Sequence, residues 1–157
     1  MRTLILVFGH TGVTRKAAER LAEFLEDAEI MEGIPDELPS GFDNYVLGTN
    51  VHFGKLNKHF KKCVKKYGEI FRFVNTYVYI VGVEVENSDK YIRLAKKVAP
   101  FAQDIRYVWG ELNVEGTTKF QRFFIEAYIS GRKGDNLPKP RLLDKEIRKL
   151  SENIKLF

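Results

Sequence analysis

Thr3-Leu4-Ile5-Leu6-Val7-Phe8-Gly9-His10-Thr11-Gly12-Val13-Thr14 decides how the rest of the chain is read. Its apolar residues run without alternation as far as Phe8, which predicts a strand buried on both faces, as in a parallel sheet. The run breaks at Gly9, passes through a short hydroxyl- and glycine-bearing turn, and enters a helix at about Thr14. Such a turn brings the first backbone N–H groups of a helix to the carboxyl end of the strand, where they and the helix dipole favour an anion. Thr11 and Thr14 add hydroxyl donors, and Gly12 permits close backbone approach. The stretch reads as a phosphate cradle. An ordinary strand–turn–helix with Thr14 as N-cap satisfies the same residues.

Working outward, Ala18, Leu21 and Leu25 recur at helical spacing behind the turn. Glu29-Ile30-Met31 predicts a short second strand, and residues 33–44, with Pro35, Pro39 and Gly41, a loop. Tyr45 to Thr49 is the next strand, ending in a second ligand-facing loop, Thr49 to Gly54. Leu56, Phe60, Cys63, Val64 and Tyr67 make one helical stripe, with Lys55, Lys58, Lys61, Lys62, Lys65 and Lys66 opposite. Tyr77 to Val83 is the strongest strand signal, rich in β-branched and aromatic residues. A polar loop, Glu84 to Asp89, leads to a helix carrying Tyr91, Ala95 and Val98 and stopped by Pro100. Ile105 to Leu112 is a fifth strand. Strands alternating with helices imply a parallel sheet with helices on both faces.

Past the fifth strand, Phe120, Phe123, Phe124, Ala127 and Tyr128 predict an aromatic helix, followed by a basic, proline-bearing loop from Ser130 to Arg141. A last helix turns Leu143, Ile147, Leu150 and Ile154 inward, with Asp144 as candidate N-cap. The aromatic stripe reads as cover for the end of the sheet. The surrounding charges suit either solvent or peripheral contact with an anionic membrane.

With 157 residues, a single domain spanning 1–157 is expected, carrying an added helix and basic loop at about 117–141. The lone Cys63 excludes an intramolecular disulfide and multi-cysteine zinc motifs. It falls on the apolar stripe, so it is expected to be buried and inert. No apolar stretch reaches membrane-spanning or signal-peptide proportions, which predicts a cytoplasmic chain. Net charge +5 implies an acidic partner without choosing its class. Three scattered histidines give no metal site, and no nucleophile-elbow serine or Walker-type lysine is present. The lysine face of residues 55–66 lacks interleaved exposed aromatics, so no nucleic-acid partner is expected.

Three loops at the carboxyl ends of parallel strands resemble the flavodoxin family. Its first loop runs aromatic-x-Ser/Thr-x-x-Gly-x-Thr, then Ala and an aliphatic residue, and Gly12, Thr14, Ala18 and Leu21 match it. Val7 and Gly9 depart from it, so one phosphate hydroxyl is missing, with Thr11 its candidate substitute. The chain is more closely similar to the flavodoxin-type, menaquinone-dependent protoporphyrinogen oxidases. That likeness rests on Thr3 to Leu6, Gly12-Val13-Thr14-Arg15, Val46 to Gly54, Lys119 to Ile125, and Ser130-Gly131.

The resemblance implies an α/β, flavodoxin-like three-layer sandwich with a five-stranded parallel sheet in order 2-1-3-4-5. It implies FMN, with phosphate held by His10, Thr11, Gly12, Val13 and Thr14. The flavin ring would lie between Thr49, Asn50, Val51, His52, Phe53 and Gly54 on one side and Gly82, Glu84, Glu86 and Asn87 on the other. Phe53 is the candidate stacking aromatic, against a core role at the loop–helix junction. His10 beside a phosphate would add charge and His52 beside a flavin would shuttle protons, but both read more readily as solvent-facing loop residues, and His59 is given no role. No catalytic side chain is assigned. Electrons would pass from a reduced donor, such as a porphyrinogen, to a quinone or a redox-protein acceptor. A one-electron carrier, or a domain that binds a partner without FMN, stays open beside this reading.

Overall fold

The computed structural model describes residues 1–9, 12–110, 130–131, 142 and 144–156. Strand β1 (Arg2–Phe8) is followed by helix α1 (Val13–Phe24), strand β2 (Asp27–Glu32) and strand β3 (Asn44–His52). A two-residue strand β4 (Lys55–Leu56), helix α2 (Lys58–Phe71) and strand β5 (Asn75–Gly82) come next. A single 3₁₀ turn, Val85–Asn87, leads into helix α3 (Ser88–Val98), then strand β6 (Asp104–Trp109) and helix α4 (Asp144–Leu156).

The sheet order is β2-β1-β3-β5-β6, with β4 hydrogen-bonded antiparallel to β3 off that path. The other four pairings are all parallel. Counted without β4, this is the expected five-stranded order.

The unbroken apolar run of β1 is explained by which face each residue serves. Leu4, Leu6 and Phe8 pack with Phe60, Cys63 and Phe71 of α2. Ile5 and Val7 pack with Ala17, Leu21 of α1 and Ile147, Leu150 of α4. Two cores, one on each face, make three layers. Leu4, Ile5, Leu6 and Phe8 are all at most 2% exposed, so the alternation of strand side chains fills both cores.

The segment after β3 differs from expectation. The predicted loop Thr49–Gly54 is instead the end of β3 and a two-residue turn at Phe53-Gly54, and β4 follows where the helix was expected to start. Phe53 and Gly54 hold φ of 48° and 73°, the positive values that a tight hairpin turn needs. Leu56 is buried from β4, and α2 starts only at Lys58. Asp144 is likewise not an N-cap. It occupies the first turn of α4, where Arg20 of α1 grips its carboxylate with Nη2 at 2.7 Å and Nε at 3.1 Å. The expected aromatic helix at 120–128, most of the basic loop at 130–141, Leu112 and Leu143 lie outside the described residues.

Two measurements follow from this packing. Burial pushes the Cys63 thiol up to about 12. Folded protein is therefore expected to resist an aromatic disulfide reagent near pH 8, and to release one equivalent only after unfolding. Rapid reaction of folded protein would contradict this. Hydrogen bonds from Arg20 hold the Asp144 carboxyl below its usual range. A depressed carboxyl contributes stability that is present at neutral pH and lost as pH falls through its folded value. Asp144→Asn is thus expected to melt lower than the parent at pH 7, and the two curves should converge in acid. A gap that persists unchanged below about pH 2 would remove the ion pair as its cause.

Candidate functional site

Helix α1 leaves β1 toward one face, and α2 follows the β3–β4 hairpin toward the other. A crevice opens where chain direction divides in this way, beyond the carboxyl ends of the strands. A cleft of about 380 Å³ lies there, lined by Val7, Phe8, Gly9, Gly12, Arg15, Glu32, Gly33, Asn57 and His59.

Gly12, not Thr14, is the N-cap of α1, with φ +80° and no side chain to cap the helix. Its carbonyl accepts from Lys16 N at 2.9 Å, the first bond of the helix. A Cβ on Gly9 would come within 2.7 Å of Thr14 Cβ and closer still to Thr14 Oγ1. The Thr14 hydroxyl therefore stands where a residue-9 side chain would begin. With Thr14 placed as it is, any side chain at residue 9 would require it to shift. His10 and Thr11 lie outside the described residues.

Thr14, 2% exposed, is anchored from below. Tyr79 Oη, in β5, donates to the Thr14 carbonyl at 2.8 Å. Burial raises the Tyr79 phenol far above its ordinary value, so it remains a donor. Its ring crosses over Gly48 of the neighbouring strand, where a Cβ would fall 2.6 Å from Tyr79 Cε1. The first turn of α1 is thus tied to the middle of the sheet.

Arg15 reaches over the cleft, with Nη1 3.2 Å from Glu32 Oε1 and Nε 3.1 Å from Glu19 Oε1. Glu32 ends β2, and the following Gly33 N donates to the Val7 carbonyl at 3.0 Å, fixing that end beside β1. His59, given no role from the sequence, lines the same cleft from the first turn of α2.

The second loop is latched by Asn57. Its Oδ1 accepts from His59 N at 2.8 Å as the N-cap of α2, and its Nδ2 donates to Asn50 Oδ1 at 3.0 Å. Asn57 N donates to both the Asn50 carbonyl (3.2 Å) and Thr49 Oγ1 (3.3 Å). Thr49 is fully buried, its hydroxyl serving the hairpin. Val51 and His52 face Leu56 and Lys55 across the hairpin. Phe53 sits at the tip, 68% exposed, with its ring centroid 4.3 Å from that of His52. A core role for Phe53 is excluded by that exposure.

The third loop is held from β6. Tyr107 Oη donates to the Glu84 carbonyl at 2.9 Å, and Trp109 Nε1 to the Val83 carbonyl at 2.7 Å. Gly110 N donates to the Gly82 carbonyl at 2.8 Å. Gly82 leaves the space that the Tyr107 ring fills. The Glu84 carboxylate accepts from Asn87 Nδ2, while Glu86 is exposed. Of the expected site residues, Gly12 lines the cleft, and Val13 and Thr14 are buried just behind it. The Thr49–Gly54 and Gly82–Asn87 groups stand at the ends of the adjacent strands β3 and β5, away from the cleft wall. The hairpin packs on α3, which brings the second and third loops together. Among the described residues, no three His, Cys, Asp or Glu side chains cluster as metal ligands.

A family profile for the flavodoxin domain matches residues 4–138. The chain belongs to the flavodoxin domain family. Among solved structures it is similar to a flavoprotein from Lactobacillus acidophilus in complex with FMN. That match has 15% identity and a TM-score of 0.55, covering 68% of this chain and 92% of the other. It is also similar to the apo form of the flavoprotein from the same organism, at 16% identity and TM-score 0.50, covering 68% and 91%. No curated protein matches the sequence. In this flavodoxin domain, the structural likeness agrees with the parallel sheet and its switch point.

Proposed function

We propose that this flavodoxin domain binds FMN and passes electrons between a reduced donor and a quinone or protein acceptor. The observation that carries the reading is the cradle at the start of α1. Gly12 turns the chain with φ +80°, Gly9 yields its space to the Thr14 hydroxyl, and the cleft opens directly in front. A positive helix end beside a hydroxyl suits a phosphate monoester.

When bound, FMN would supply reversible electron transfer at its ring. The chain's residues bind and tune. The amides of Val13 and Thr14, with His10 and Thr11, hold the phosphate, while Arg15 adds a positive charge tempered by Glu32. Phe53, at the exposed tip, covers a flat ring at little conformational cost. Asn50, Val51 and His52 border it from the hairpin, with Thr49 and Gly54 setting the hairpin's shape. Gly82, Glu84, Glu86 and Asn87 border the other side. Glu84 and Glu86 there would disfavour added negative charge on a bound group.

The finer reading, a protoporphyrinogen oxidase-like enzyme, is supported by the sequence resemblance at Gly12-Val13-Thr14-Arg15 and Val46 to Gly54. The carrier reading is favoured by Lys58, Lys61, Lys62 and Lys65 of α2, which no ion pair among the described residues engages. Anaerobic mixing of FMN-loaded protein with protoporphyrinogen IX and a soluble menaquinone analogue separates them. Porphyrin fluorescence that rises well above a free-FMN control identifies an oxidase. No rise, with FMN still bound, identifies a carrier. Among the described residues, no helix is long and apolar enough to cross a membrane. Peripheral membrane contact and a cytoplasmic location belong to the proposal.

A further inference from the structure

The positive charge of this chain is unevenly managed. Ion pairs among the described residues engage Arg2, Arg15, Arg20, Arg72, Arg106 and Lys149. None reaches Lys55, Lys58, Lys61, Lys62 or Lys65, although residues 55–66 hold six lysines and no carboxylate. Lys66 alone is tied down, its Nζ donating to the Pro35 and Asp36 carbonyls at 3.2 and 3.1 Å. Lys58, Lys61, Lys62 and Lys65 crowd the solvent face of α2 at i,i+3 and i,i+4 spacing, where like charges repel. They also begin at the helix N-terminus, the end at which the dipole disfavours cations, and its first turn has no acid. The sequence thus concentrates repulsion on one ridge, about 12 Å long at the helical rise.

That ridge starts at the cleft. Asn57 and His59 line the cleft, and Lys58 lies between them in sequence. The hairpin tip with exposed Phe53 precedes it directly. We propose that the α2 lysine ridge and the Phe53 tip together form a docking surface for the acidic face of a redox protein. Complementary charge steers the encounter and sets its orientation, and an exposed aromatic at the edge supplies a short-range anchor. A protein is favoured over a membrane because nothing apolar is exposed among the lysines of residues 58–66; the exposed Ile70 and Phe73 lie beyond the last of them. Phe60, Cys63, Val64 and Tyr67 are at most 8% exposed and face the core. It is favoured over nucleic acid because no aromatic is interleaved on the ridge for base stacking. That the partner is a redox protein rests on the FMN reading; the docking does not.

The test is therefore run without flavin. Isotope-labelled full-length protein is titrated with an acidic [2Fe–2S] ferredoxin as probe, and with basic cytochrome c as counter-probe, while amide shifts are followed. Shifts confined to the hairpin tip and Lys58–Lys66 are expected with the ferredoxin only. Affinity should fall about tenfold or more when NaCl rises from roughly 20 to 200 mM. Lys58→Glu with Lys62→Glu should abolish the shifts while leaving the remaining spectrum unchanged. Lys58→Gln with Lys62→Gln should weaken them. No shifts at about 1 mM probe in low salt, or shifts spread evenly over the surface, would overturn the proposal. So would tighter binding at physiological salt to phosphatidylglycerol vesicles or to a DNA duplex. FMN binding, measured separately, is expected to survive the charge reversals, so docking and flavin binding can fail independently.

Discussion

Gly48→Ala is expected to destabilise the protein by about 2–4 kcal/mol, with loss of cradle geometry. The new Cβ would sit 2.6 Å from Tyr79 Cε1 and nearer still to Cζ and Oη. Tyr79 is 1% exposed, directly opposite Gly48 in the parallel pairing of β3 and β5. Its ring lies in the buried core with Val46, Tyr77 and Val81. Overpacking of a close-packed core costs about 1–3 kcal/mol, and losing the bond to the Thr14 carbonyl adds a penalty of similar order. For a chain of this size, a melting temperature lower by about 5–15 °C follows. Tyr79→Phe isolates the second contribution and should cost only about 1–2 kcal/mol. Adding Tyr79→Phe to Gly48→Ala should recover little, because Cζ remains in the way. Thermal melts of the three variants test this, and a Gly48→Ala protein melting within 2 °C of the parent would refute it.

Gly12→Val is expected to reduce FMN affinity at least tenfold while the sheet stays folded. Among the described residues beyond its chain neighbours, none lies within 4 Å of the position a Gly12 Cβ would take, so crowding is not the cause. The cause is φ of +80°, which a β-branched residue resists by about 1–3 kcal/mol. Relief of that strain re-aims the first amides of α1, and tenfold corresponds to about 1.4 kcal/mol. Gly12→Asn is the control. Asparagine tolerates left-handed backbone, so most of the affinity should remain. If valine and asparagine weaken binding equally, backbone conformation is not what the site requires. If neither does, the phosphate lies elsewhere.

Which features could be read beforehand depended on how local their causes are. The double burial of β1 was legible because Leu4 to Phe8 carries both faces in one unbroken run. The buried stripe of α2 was legible from Phe60, Cys63, Val64 and Tyr67 at helical spacing. The hairpin was not. Lys55 and Leu56 continue the helical pattern, and only the Asn57 latch to Thr49 and Asn50 ends it. An aromatic residue at positive φ in the turn gave no glycine-pair signal. The place of His59 was hidden for a different reason. Its neighbours Glu32 and Gly33 come from the end of β2, which the sheet order brings across from another part of the chain. Gly9 reads in the sequence as a lost hydroxyl, and spacing alone does not show how close Thr14 stands to the place a residue-9 side chain would take.

Titration of purified, flavin-stripped protein with FMN, beside riboflavin, addresses the phosphate cradle itself. Quenching of flavin fluorescence and perturbation of the visible bands report binding of either ligand. Micromolar or tighter FMN binding is predicted, with riboflavin weaker by at least about tenfold because it lacks the phosphate. Equal affinity for the two would contradict a cradle at Gly12–Thr14. No binding of FMN, FAD or riboflavin would contradict the redox function and leave a partner-binding domain on a flavodoxin scaffold.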